Sequence, residues 1–193
     1  MQRKNMIVIV FLILFSLFFV ACSSQNSVEL KDTLKEETTL KQKTHITFGD
    51  EIQFTTDEKW QKDLSDGPFD LQLIYDTTYM GVMVYHLSDF SENLNSADKL
   101  LNFHIDDIKS KRSNVEEVEP LSTTKKDGQN NISQIIYSGV KDETKFIYFF
   151  NAITFDDNPD IVAIVLFTTH PSDFEKQRLE LNTILSSAQL IEP

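Results

Sequence analysis

Two neighbouring runs decide the fold: Phe146-Ile147-Tyr148-Phe149-Phe150 and Ile161-Val162-Ala163-Ile164-Val165-Leu166-Phe167. Side chains alternate between the two faces of a strand, and in both runs each face is apolar, so strands here must be covered on both sides. Asp156-Asp157-Asn158-Pro159 between them is turn chemistry, and so short a connection forces antiparallel neighbours. Upstream, strands are expected at 132–140 and 115–125, joined through Asp142-Glu143 and Asp127-Gly128. Four more are expected at 44–48, 51–55, 69–75 and 79–87, with Asp66-Gly67-Pro68 as a turn.

Two segments change period. After Asn95-Ser96, which can cap a helix, apolar residues recur at Ala97, Leu100, Leu101, Ile105 and Ile108, the spacing of one helical face. A closing helix is expected from Pro171, with Ser172 and Glu175 at capping-box spacing and Phe174, Leu181, Ile184, Leu185 and Ala188 along one side. A mostly antiparallel central sheet with two amphipathic helices makes an α+β domain over 44–193, expected as a three-layer α/β/α sandwich. The alternative is a two-layer arrangement with both helices on one face.

The order of elements is similar to the PsbP-like fold, shared by an oxygen-evolving photosystem subunit, a Ran-binding import factor and many bacterial lipoproteins. The residues that carry the resemblance are Trp60 in the turn after the early strands, the paired runs 146–155 and 161–169, and the ending Ile184-Leu185-Ser186-Ser187. Thr55-Thr56-Asp57-Glu58 stands where such domains usually place a Pro shortly before the Trp. The resemblance implies a binding or assembly protein and not an enzyme.

The other end of the chain is an address. Arg3 and Lys4 precede an uncharged run from Met6 to Val20, too short for the roughly 20 residues of a membrane-spanning helix. Residues 1–21 therefore form an export signal. Its end, Phe19-Val20-Ala21-Cys22-Ser23-Ser24, resembles the lipobox of bacterial lipoproteins, with Phe19 where an aliphatic residue is usual. That resemblance implies cleavage between Ala21 and Cys22, and a lipid on the Cys22 thiol. Ordinary secretion and an uncleaved short anchor are the alternatives. Cys22 is the single cysteine, so an internal disulfide is excluded. From 22 to 43 the chain is largely Ser, Thr, Gln, Lys and Glu, with isolated Val28, Leu30, Leu34 and Leu40, and is expected as a polar tether.

Charge narrows the partners. The chain carries a formal −12, and loss of Arg3 and Lys4 with the leader makes it −14. Such a surface repels nucleic acid and anionic headgroups, so no nucleic-acid partner is expected and the lipid on Cys22 would supply the attachment.

Candidate sites are few. His104 falls in the middle of the apolar face of the first helix, either as a core imidazole bonded to a neighbouring strand or as a ligand or catalytic base. Phe103 points off that face, either under a covering loop or exposed as a contact. His45, His86 and His170 are far apart, and neither His-Glu-x-x-His nor Cys-x-x-Cys occurs, so no zinc is expected. Asp156, Asn158 and Asp160 alternate as calcium-loop ligands do, but Ile161 and Phe167 occupy the positions that need Gly and Glu, so a polar hairpin turn is expected there. The five glycines are too dispersed to cradle a phosphate, and no cofactor is expected. The sequence thus reads as a lipid-anchored lipoprotein on the extracytoplasmic face of the cell membrane, binding an envelope protein without catalysis. A small ligand held in a cleft beside the sheet is the alternative.

Overall fold

A computed structural model describes residues 41–125 and 130–191. The leader, Cys22, the tether up to residue 40 and the Asp127-Gly128 turn lie outside the described residues. In chain order the strands are β1 (Gln42–Ile46), β2 (Ile52–Asp57), β3 (Gln61–Lys62), β4 (Leu71–Tyr75) and β5 (Thr78–His86), followed by helix α1 (Ala97–Lys111). Then come β6 (Ser113–Thr124), β7 (Asn131–Lys141), β8 (Thr144–Thr154), β9 (Ile161–Thr169), helix α2 (Pro171–Ser186) and β10 (Gln189–Leu190).

Seven strands form the central sheet in the order β3-β4-β5-β9-β8-β7-β6, antiparallel throughout. The apolar runs that opened the sequence are its middle. In β9 every residue from Ile161 to Val165 is buried, and in β8 every residue from Ile147 to Ile153. Odd-numbered Ile147, Phe149, Ala163, Val165 and Phe167 pack with Phe174, Leu181, Ile184 and Leu185 of α2. Tyr148, Phe150, Val162 and Ile164 pack with Leu100, Leu101 and Ile105 of α1. The helices therefore cover opposite faces, which settles the three-layer sandwich and rules out the two-layer alternative.

Four details depart from the sequence reading. The first two strands leave the central sheet and pair with β10 in a small sheet of order β1-β2-β10, because β2 buries Ile52 and Phe54 against the α2 face of the core. β1 begins at Gln42, inside the stretch expected as tether, and Gln42 and Lys43 pair with Asp57 and Thr56. The two-residue strands β3 and β10 have no sequence period long enough to detect. The capping box at Ser172 and Glu175 does not form: the helix already begins at Pro171, so His170 is the N-cap and makes no side-chain capping bond. By contrast, Ser96 caps α1 as expected, its Oγ accepting from Lys99 N at 3.3 Å. The Asp142-Glu143 turn closes β7 onto β8 with both residues left-handed, φ 48° and 65°.

β6 is the long edge of the sheet. Glu116, Glu117, Glu119, Pro120 and three register shifts interrupt it, features that discourage pairing with another chain. Among the described residues no helix is long and apolar enough to cross a membrane.

Candidate functional site

Helix α1 covers only part of its face of the sheet, and beside it runs a groove of about 360 Å³. Phe103, His104, Asp107 and Ile108 form the helical wall; Pro68 and Phe69 form the opposite wall; Met83, Tyr85, Phe150 and Leu166 make the floor. The helical wall follows from periodicity. With Leu100, Leu101 and Ile105 turned into the core, the residues next round the helix face sideways over β5.

The second wall is the loop between β3 and β4, held by its own polar groups. Asp63 accepts from Ser65 N at 3.0 Å and Ser65 Oγ at 2.8 Å, and Tyr79 donates its hydroxyl to the same carboxylate. Gln72 Nε2 donates to Ser65 O at 3.0 Å, and Asp70 Oδ2 accepts from Val84 N at 2.7 Å. Phe69 can lie across β5 because residue 81 is glycine: a Cβ there would sit 2.5 Å from the Phe69 ring.

Two polar groups face each other inside this apolar channel. Tyr85 Oη and His104 Nε2 share a hydrogen bond of 2.8 Å, the imidazole's sole partner among the described residues. Burial lowers the His104 pKa, with the nearby Asp107 carboxylate only partly offsetting it. Burial, and to a lesser degree Asp70, raises that of the Tyr85 phenol. Both groups are therefore neutral at physiological pH. Asp107 is itself committed to Lys111 at 2.7 Å. The pair can orient a polar atom of a guest, and it has no carboxylate of its own to drive proton transfer.

Both residues singled out on the first helix thus line one groove. His104 bonds to a neighbouring strand, as the core reading expected, but it does so at the edge of a channel. Of the two readings of Phe103 the exposed one holds among the described residues: no loop covers it, and it stands 53% exposed at the rim, edge-on to His104 at 5.3 Å. The loop 63–69 packs instead against β4 and β5. Met83 and Tyr85 escaped sequence reasoning because β5 is apolar on both faces, and Phe69 because it reads as the first residue of the strand expected at 69–75. Gly81 was the available signal, since glycine inside a strand marks close approach of another group.

The remaining candidates are tied down structurally. Asp160 accepts from Ser88 N at 2.8 Å and Ser88 Oγ at 3.0 Å, whereas Asp156 pairs with Lys125 at 3.1 Å, so the alternating carboxylates serve a polar turn. Among the described residues no three metal-ligating side chains converge. His86 bridges Glu51 at 2.7 Å and Asp160 at 3.5 Å, His170 stacks on Phe146, and His45 is buried against Thr56. A wider, more polar depression of about 1080 Å³ lies between the small sheet and the β8–β9 turn, bordered by Asn130 and Ile191 where the described residues end.

Comparison of the whole chain with solved structures agrees with this architecture. A cyanobacterial PsbP from Synechocystis sp. PCC 6803 superposes with a TM-score of 0.58 at 13% identity, over 88% of this chain and 99% of the other. The chain has a PsbP-like fold. LpqN of Mycobacterium tuberculosis, involved in cell envelope biogenesis, is similar with a TM-score of 0.54 at 10% identity, over 79% of this chain and 91% of its own. The Ran-binding protein Mog1p of Saccharomyces cerevisiae gives 0.53 at 10% identity, over 80% and 97%. No family model and no curated protein matches the sequence. At such identities the PsbP-like likeness is one of fold.

Proposed function

We propose that this chain is a lipoprotein anchored through a lipid on Cys22 to the extracytoplasmic face of the cell membrane. Its PsbP-like domain acts there as a non-catalytic binding or assembly module for an envelope protein. The observation that carries the binding half is the groove beside α1, an apolar channel with an exposed aromatic rim and one neutral hydrogen-bonding pair. Recognition sites combine an apolar lining with a few placed polar groups in this way. The fold likeness to an envelope protein and to a Ran-binding protein supports the same reading. A volume of about 360 Å³ also suits a small ligand, which is the second reading.

The anchor is tested separately from the groove. Cells fed an alkyne fatty acid should label the wild-type protein and leave Cys22→Ala unlabelled. Equal labelling of both, or an unmodified Cys22 in the native protein by mass spectrometry, would refute the anchor.

A further inference from the structure

We infer that the occupant of the α1 groove is a cationic protein segment that inserts an aromatic or aliphatic side chain between Phe69 and Phe103. This deepens the binding reading and rests on it. Both banks of the groove are acidic. The loop bank, residues 63–70, reads Asp63-Leu64-Ser65-Asp66-Gly67-Pro68-Phe69-Asp70 and contains no Lys or Arg. On the helix bank Asp106 is exposed one turn from Phe103.

The lysines of the helix bank are held on their own side, and on the loop bank Lys62, the exposed last residue of β3, stands next to Asp63 in the chain. Lys99 donates to Glu92 O and Asn95 Oδ1, Lys109 lies over the Tyr137 ring at 4.7 Å, and Lys111 pairs with Asp107. Asp66 and Asp106 are exposed and without an ion pair among the described residues. Inside the channel the burial-lowered His104 adds no positive charge at neutral pH. An apolar floor between unneutralised carboxylates complements an apolar anchor flanked by Lys or Arg, and repels an anionic lipid surface or a fatty carboxylate.

The test uses the full chain carried in phosphatidylcholine nanodiscs and three fluorescein-labelled hexapeptides followed by anisotropy. The first has tryptophan and leucine between lysine pairs, the second the same centre between glutamate pairs, and the third two glycines between lysine pairs. Only the first should bind saturably, and added salt should weaken it. Phe103→Ser, an exposed position where folding is not at risk, should weaken that binding by about ten-fold. Asp66→Lys with Asp106→Lys should weaken it and flatten its salt dependence. Equal binding of the glycine peptide would reduce the site to diffuse charge, and equal binding of the glutamate peptide would remove the charge assignment. Either result, absence of binding, or indifference to Phe103→Ser, overturns the inference. If cross-linking from the groove in cells still succeeds, the binding reading survives and only the chemistry assigned to the partner falls.

Discussion

The two faces of the central sheet are finished differently. On the α2 face a helix and the small sheet together close the core: Trp60 and Phe167 are fully buried, and Trp60 donates Nε1–H to Glu180 at 2.7 Å. On the α1 face one helix of similar length leaves a seam over β5, where Tyr85 is only half-buried and Phe103 is exposed. The closed face serves cohesion. The open one leaves apolar surface uncovered, which a folded domain retains at a cost in stability and which commonly marks a contact.

Truncating the closed face should have the largest effect. Phe167 packs on Phe149 at 5.9 Å and near Trp60 at 6.4 Å between ring centroids. Phe167→Ala should therefore cost about 3–5 kcal/mol in chemical unfolding. Phe103→Ala across the sheet should fall within about 0.5 kcal/mol of wild type. Comparable losses at the two positions would dissolve the distinction between the faces.

Acid should next weaken the closed side. His45 on β1 lies opposite Phe54, 1% exposed, with Nε2 on Thr56 Oγ1 at 3.0 Å and Nδ1 without a partner. Burial, then Lys43 and Lys62, push its pKa down to about 4 from 6.5. The fold thus favours neutral imidazole, so this contribution is intact above pH 6.5, declines as pH falls through 6.5, and is spent near pH 4. Its full size is on the order of 3 kcal/mol. Unfolding free energies between pH 7 and pH 4 should fall less steeply in His45→Gln than in wild type; parallel profiles would show that His45 is not the group responsible.

The open face has its own steric test. Gly81→Ala drives a methyl into the Phe69 ring and should cost about 1–3 kcal/mol. Phe69→Ala in the same chain should recover much of that loss, since the ring is what the methyl meets. Additive losses would place the clash elsewhere.

The same contrast explains what was legible beforehand. The central strands announce themselves as runs apolar on both faces, and the helices by an apolar stripe sustained over 15 and 16 residues. The separation of β1 and β2 into a second sheet depends on β10, two residues long, and no local pattern encodes that pairing. His104 and Phe103 were visible as oddities on one helix. Their joint role was not, because the other wall comes from residues 68–69 and the floor from β5, β8 and β9, far away in sequence. Long-range packing writes such a site, and only Gly81 left a local trace of it.

The central claim is that the open face is where this domain meets its partner. A photo-crosslinking amino acid placed at residue 103 in intact cells, with residue 179 on exposed α2 as the counterpart, tests it most directly. The account predicts a discrete protein adduct from position 103, diminished by Met83→Ala, and none from position 179. Adducts of equal yield from both positions, or a discrete adduct from 179 alone, would contradict it.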